Sequence, residues 1–131
     1  MGSRFIRPET VTVTVSGGDT ITLRRRLTAG EQRAMFAGMY AAGADGQLRT
    51  IPFAVGPAVV VAYLLDWTLQ DDAGRRVPIA GLSAGDLGAV LDGLDPAFFA
   101  ELRAAVEGHV VTMDAERAAE KKTIPPGGSA S

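Results

Sequence analysis

Residues 9–26 read Glu-Thr-Val-Thr-Val-Thr-Val-Ser-Gly-Gly-Asp-Thr-Ile-Thr-Leu-Arg-Arg-Arg, and this stretch decides how the fold begins. Apolar and polar residues alternate on both sides of Ser16–Asp19, which is the period of a strand with one buried face. The two central glycines tolerate the positive φ angles that a tight turn needs. The stretch therefore predicts an N-terminal β-hairpin, with core-facing side chains Val11, Val13, Val15, Ile21 and Leu23.

Helix start signals recur along the chain. Thr28–Glu31 has the spacing of a capping box, and the apolar residues after it predict a helix over 29–42. Ser83–Asp86 repeats this motif with a shorter acid and predicts a second, short helix. Asp95-Pro96 suits an N-cap followed by the first helical residue. A long last helix is therefore predicted from about 96 to 121.

An uncharged run of 16 residues covers positions 50–65. It is shorter than the roughly 20 apolar residues of a spanning helix, and Pro52 and Pro57 interrupt it. We therefore expect a buried core element and no membrane span. Within the run, residues 57–65 fit a strand or a helix, because a uniformly apolar segment has no diagnostic period, and we favour a helix.

Residues 67–79 predict a second short hairpin turned by Asp71–Gly74, with Pro78 placing its strand at a sheet edge. The elements together predict an α+β fold, in which a small N-terminal β-hairpin and a second short hairpin pack with about four helices, the last of them long. A length of 131 residues fits one domain, assigned to residues 1–122. Residues 123–131 have little to bury and are expected to form a flexible C-terminal tail.

Composition narrows the classes of function. The chain has no cysteine, so neither a disulfide nor a thiolate metal site is available. Its net charge is −2, which does not indicate a nucleic-acid-binding protein. The first residues lack the basic, apolar and small-residue order of a secretory signal, so we expect a cytoplasmic protein.

No residue pattern predicts catalysis, a cofactor or a metal site. His109 is the single histidine and shares an apolar helical stripe, so we interpret it as a partly buried, hydrogen-bonded helix residue. Asp71 and Asp72 are adjacent in a turn, where carboxylates bond to local amides. Gly17-Gly18 lacks the lysine and helix of a phosphate-binding loop, and we expect no serine nucleophile.

Two features are candidates for binding a partner. Arg24–Arg26 is the densest basic cluster, and a solvated strand edge, a protein contact and a nucleic-acid contact are its three interpretations. The last helix is apolar over more than the usual stripe of about 100°, so it is either central to the fold or offers a surface to a partner or another copy. The candidate partner-binding residues are Phe99, Val106, Val110, Arg24 and Arg26.

The order of these elements resembles the tail assembly chaperones of bacteriophages with long, non-contractile tails. Each motif is ordinary strand, turn or cap chemistry, and the resemblance comes from their order over most of the chain. The motifs are Phe5-Ile-Arg-Pro-Glu9 before a Thr/Val strand, Leu27-Thr-Ala-Gly-Glu31, Ala62-Tyr-Leu-Leu-Asp-Trp67 leading to Asp72-Ala-Gly-Arg, Val77-Pro-Ile79, and Leu91-Asp-Gly-Leu-Asp-Pro96 before a helix ending in Glu116 to Lys122.

The resemblance implies a non-catalytic protein of the infected host's cytoplasm that is absent from the mature virion. Such a chaperone binds and solubilises the helical tape-measure protein and helps recruit tail-tube subunits. A small structural virion protein, such as a head-tail adaptor or minor tail protein, is the alternative, and a small-molecule enzyme would need a polar constellation that the sequence lacks.

The family resemblance also implies a programmed ribosomal frameshift near the end of the short form, which often adds a second domain. Lys121-Lys122 are the only lysines of a chain with eleven arginines, so their A-rich codons or those of Pro125–Gly128 are candidate slippage sites. The alternative is that two lysines end an exposed helix, where they favour its macrodipole.

Overall fold

The computed structural model describes residues 4–123, with side chains through Glu120. This part of the chain has the predicted α+β architecture, with two small antiparallel sheets and four α-helices. The elements in chain order are β1 (Thr10–Thr14), β2 (Thr20–Arg24), α1 (Ala29–Ala37), β3 (Tyr40–Ala42), β4 (Leu48–Thr50), α2 (Val55–Tyr63), β5 (Leu64–Trp67), α3 (Ala84–Asp92) and α4 (Pro96–Thr123). Residues 124–131 of the predicted tail lie outside the described residues.

β1 and β2 form the predicted N-terminal hairpin. They pair antiparallel along their full length. One turn of 3-10 helix over Ser16–Gly18 joins them, and Gly17 has a φ of 74° there, which a residue with a Cβ adopts only at a cost. β1 is an edge strand of its sheet. The predicted core-facing side chains are buried or half-buried: Val15, Ile21 and Leu23 are buried, and Val11 and Val13 are half-buried.

β5 completes this sheet on the other side of β2, giving the order β1-β2-β5. α2 ends at Tyr63 and the chain enters β5 directly. The prediction of a helix for 57–65 is therefore right up to Tyr63 and wrong for the last two residues. These two join the strand because Leu64, buried beside β2, pairs with Leu23.

β3 and β4 form a hairpin that the sequence did not predict. α1 was expected to continue to residue 42 and instead ends at Ala37, where the Gly38 N–H closes the last turn on Ala34 and Met35. At residues 67–79 the predicted hairpin is present in short form, with an antiparallel bridge between Gln70 and Arg76 and backbone hydrogen bonds from the Asp71 N–H to Arg75 and from the Val77 N–H to Leu69. The strand that contains Trp67 also pairs with β2, so it belongs to the three-stranded sheet and does not form a separate hairpin.

α3 and α4 begin at the predicted positions. The Ser83 side-chain oxygen accepts a hydrogen bond from the Asp86 N–H and caps α3. α4 begins at Pro96 and extends two residues beyond the predicted end. Its buried side chains enter one core with α2, α3 and the three-stranded sheet, so α4 is central to the fold. The core comprises Val15, Ile21, Leu23, Val60, Tyr63, Leu64, Trp67, Ile79, Leu87, Leu91, Leu102 and Val106.

None of the helices between Arg4 and Thr123 has both the length and the apolar character required to cross a membrane. The uncharged run at 50–65 is divided between a short loop, α2 and the start of β5.

Candidate partner-binding groove

His109 has a structural role in α4. Its side chain is buried, with 7% of its surface exposed, and its ring meets that of Tyr63 edge-on. Nε2 lies 2.9 Å from the backbone oxygen of Arg24 and 3.1 Å from that of Arg25. Both partners are acceptors, so Nε2 carries a proton and donates. The prediction of a buried, hydrogen-bonded helix residue is confirmed.

The turn carboxylates also serve local structure. Asp71 Oδ1 accepts hydrogen bonds from the N–H groups of Ala73 and Arg75 at 2.9 and 3.0 Å, which closes the turn. Among the described residues, no group of three or more His, Cys, Asp or Glu side chains could hold a metal ion.

One serine motif was missed in the sequence. Gly81-Leu-Ser-Ala-Gly85 fits the Gly-x-Ser-x-Gly pattern of hydrolase nucleophiles, which needs a strand before the serine and a histidine within reach. Ser83 instead follows a turn and caps α3 with its hydroxyl oxygen. His109 donates to the backbone at the end of β2. The pentad is therefore a helix cap in this fold.

The arginine cluster is paired within the chain. Arg24 lies between two elements: Nη1 donates to the Ala62 oxygen at 2.8 Å, and Nε is 2.9 Å from Glu31 Oε2. Arg25 and Arg26 both contact Glu116 on α4. The sequence interpretation of a solvated edge is wrong, because β2 is the central strand of its sheet and each arginine pairs with a carboxylate of another segment.

The predicted residues of α4 point inward. Val106 has no exposed surface and belongs to the core, so a partner cannot contact it in this conformation, and its assignment to a binding surface is corrected. Phe99 and Val110 are half-buried and pack against the same core. The broad apolar surface of α4 is thus used to contact several elements of its own domain, and neither Phe99 nor Val110 lines the groove described next.

An open apolar groove of about 620 Å³ lies between α1, α2 and α3. Only Arg24 and Glu31 among its lining residues carry a charge. The floor along α2 extends from Ala54 to Ala62, a rise of about 12 Å, or about two turns of a helix laid against it. Many of the lining residues are glycine or alanine, which allow the backbone of a partner to approach closely: Ala34, Gly38, Ala54, Ala58, Ala62, Gly81, Ala84 and Gly85.

The polar end of the groove is the Arg24–Glu31 ion pair. Glu31 also completes the predicted capping box, because its Oε1 accepts the Thr28 N–H at 2.9 Å and the Thr28 hydroxyl accepts the Glu31 N–H at 3.2 Å. Partial burial acts to raise the pKa of the Glu31 carboxyl, but the Thr28 N–H and the Arg24 charge lower it below its ordinary value. Glu31 therefore favours its ionised form at this end of the groove.

A second cavity of about 260 Å³ adjoins the groove at this ion pair. The two cavities share Arg24, Glu31 and Leu65, and Arg26 lines only the second. The structure thus brings Arg24 and Arg26 together at one cavity, apart from the three candidate residues on α4. The ion pair divides a longer concave surface into an apolar part and a basic part.

The opposite end of the groove carries an exposed aromatic ring. Phe53 directly precedes Ala54, its side chain is 99% exposed, and its φ is +61°. A positive φ is a costly conformation for a bulky residue, and strain of this kind concentrates at functional sites.

The sequence contains a signal for the groove. Ala54, Ala58 and Ala62 recur every four residues and so form a stripe of small side chains along one face of α2. The helix preference of 57–65 is visible in the sequence, whereas the opposing walls from α1 and α3 are not. Comparisons with protein-family models, with curated proteins and with solved structures find no match to this chain.

Proposed function

We propose that this chain is a tail assembly chaperone of the long, non-contractile phage tail type, which holds a helical segment of the tape-measure protein in the groove between α1, α2 and α3. The observation that carries the proposal is the chemistry of the groove: it is open, apolar, lined by small residues and about two helical turns long. An amphipathic helix binds such a groove through apolar residues at i, i+3 or i+4 and i+7.

The resemblance in the order of motifs supports the choice of client, since a tape-measure protein is long and helical. Recruitment of tail-tube subunits by the chaperone, action in the cytoplasm of the infected host and absence from the mature virion complete the proposed role. A client bound by a shallow groove at one or two turns can be released when the tube assembles, because such a contact is small compared with a permanent interface.

Coexpression with the proposed client, a long helical tape-measure protein, tests the proposal. We expect the wild-type chain to make that protein soluble and to copurify with it. Ala34→Arg places a long charged side chain in the groove from an exposed position on α1, and it should weaken capture by at least about tenfold. Ala37→Arg is the matched control, since Ala37 is exposed on the same helix and does not line the groove.

Two outcomes would contradict the proposal. Equal capture by the two arginine variants would show that the groove is not the client site. Presence of the chain in the protein inventory of purified virions would instead favour a structural virion component.

A further inference from the structure

α4 extends well past the core. Among the described side chains of α4, Val110 is the last that packs against the core, yet the helix continues to Thr123. Residues 111–120, which we call the C-terminal arm, rise about 15 Å beyond the core. Within the arm only Met113 and Glu116 are half-buried, and the other side chains are exposed. The arm is therefore a helical extension with little apolar attachment to the domain.

Ion pairs attach the arm to the end of the first hairpin. Glu116 contacts the guanidinium groups of Arg25 and Arg26, the latter at 3.3 Å. Glu120 contacts Arg26 at 3.0 Å. These two glutamates are four residues apart, so they project from one face of the helix. The arginine pair thus binds two carboxylates of the arm that are one helical turn apart, and Arg25 also pairs through Nη1 with Glu9 at 3.2 Å.

The arginine pair has donor capacity that the arm does not use. The Nε of Arg26 is buried and has no hydrogen-bond partner among the described residues. Arg26 also lines the 260 Å³ cavity, which neither Glu116 nor Glu120 enters. Guanidinium groups bind carboxylates most strongly when two parallel N–H groups engage them, and Arg26 engages both carboxylates of the arm through Nη2 alone. A better-placed carboxylate would therefore gain hydrogen bonds that the arm does not make.

We infer that Arg25 and Arg26 form a docking site for an acidic helix of another protein, one with two carboxylates a single turn apart, and that the arm of α4 occupies this site until the partner displaces it. The arm that is bound there presents two glutamates to the arginines, so charge complementarity identifies an acidic helix as the class of partner. A second copy of this chain would bring an identical arm and no additional hydrogen bond. This site lies apart from the apolar groove, and the inference does not depend on the proposed function.

Displacement is feasible because the arm is weakly attached. Its ion pairs are partly exposed, with 36% and 54% of the Glu116 and Glu120 side-chain surfaces accessible. Partly exposed pairs of this kind are weakened by salt and contribute little each. His109 retains α4 on the domain when the arm leaves, since it donates to the backbone at the end of β2.

A labelled peptide with the sequence of residues 110–123 is the probe, stapled between the exposed positions 111 and 115 to keep it helical. Fluorescence anisotropy measures its binding to the full wild-type chain and to the full chain with Glu116→Gln and Glu120→Gln. The double variant lacks the two carboxylates that compete for the arginines, so we expect it to bind the peptide at least about tenfold more tightly than the wild type does.

Four controls make the test specific. A peptide carrying the same two Gln substitutions should not bind, and a change from about 0.1 to about 1 M salt should weaken binding of the acidic peptide. Glu107→Gln in the full chain removes the exposed i,i+4 pair with Arg103 on the same helix, and this variant should behave as the wild type. Ala34→Arg should also leave peptide binding unchanged, which separates this site from the groove.

Three results would overturn this inference. If the acidic peptide fails to bind the double variant, or still binds after Arg25→Gln and Arg26→Gln are added, the arginine pair is not the docking site. If light scattering shows a wild-type dimer that the double variant converts to a monomer, the arm belongs to a second copy and the partner assigned here is wrong.

Discussion

The Nε2 atom of His109 lies 2.9 Å from the backbone oxygen of Arg24, so the single histidine of the chain joins α4 to the end of β2. This contact spans 85 residues of sequence. It lies where the core part of α4 gives way to the C-terminal arm. His109, the single candidate for a histidine general base, therefore holds the longest helix in position.

His109→Ala should lower the free energy of unfolding by about 2–4 kcal/mol, because it removes a buried hydrogen-bond donor and opens a cavity beside Tyr63. Urea denaturation measures the change. His109→Gln retains a side-chain N–H and should lose less. Equal losses for Ala and Gln would mean that the hydrogen bond does not contribute.

Val106→Ala should destabilise the fold by about 2 kcal/mol, since it deletes two buried carbon atoms in a region without exposed surface. Val111→Ala is the matched control on the same helix, because Val111 is 68% exposed, and its effect should stay within about 0.5 kcal/mol. Thermal unfolding of the two variants compares them directly. Similar melting temperatures would contradict the position of Val106 in the core.

Phe53→Gly should raise the free energy of unfolding by about 1 kcal/mol, because glycine adopts a φ of +61° without steric cost. If the exposed ring contributes to client binding at the end of the groove, the same variant should capture less of the helical client. Phe53→Ala removes the ring but keeps a Cβ, so it should lose capture without the full gain in stability. A gain in stability with unchanged capture would exclude the ring from the client site.

Glu31→Gln should change how stability depends on pH. The pKa of Glu31 is lower in the folded chain than its ordinary 4.5, despite the opposing effect of burial, because the Thr28 N–H and Arg24 favour the carboxylate. The ionised group therefore stabilises the fold above the unfolded-state pKa, and this contribution is lost as pH falls through the folded-state pKa. Since the ion pair is partly exposed, the difference from Gln at pH 7 should not exceed about 1 kcal/mol.

Urea denaturation of both proteins between pH 7 and pH 3 checks this expectation. The two free energies of unfolding should converge as the pH falls below about 4.5. Thr28→Ala in the same series removes the hydroxyl half of the cap, whose loss should cost about 1 kcal/mol at pH 7. If the difference in free energy of unfolding between the wild type and Glu31→Gln did not change with pH, the lowered pKa of Glu31 would be contradicted.

Local chemistry determined the parts of the fold that short sequence signals describe. The period-two alternation with Gly17-Gly18 specifies the first hairpin, and the Thr28–Glu31 box specifies where α1 begins. The start of α4 follows from Asp95-Pro96 for the same reason. In each case the groups that satisfy one another are within a few residues, so the sequence alone contains the information.

Tertiary contacts decided what short-range patterns leave ambiguous. α2 gives way to β5 inside a uniformly apolar run because β2 presents an unpaired edge to that segment. Gly38 ends α1 early because the residues after it pair as β3 with β4. No period in the sequence distinguishes these outcomes, since the stabilising hydrogen bonds come from a neighbouring strand and not from within the segment itself.

The sequence by itself determined an α+β domain with a first hairpin, capped helices and a buried, hydrogen-bonded histidine on the last helix. Only the tertiary structure decided which apolar surface is left open and what the arginines contact. The apolar face of α4 packs into the core of the domain, while a stripe of alanines on α2 lines an open groove. Burial and ion pairing depend on all the neighbours in space, and a linear pattern specifies only the neighbours in sequence.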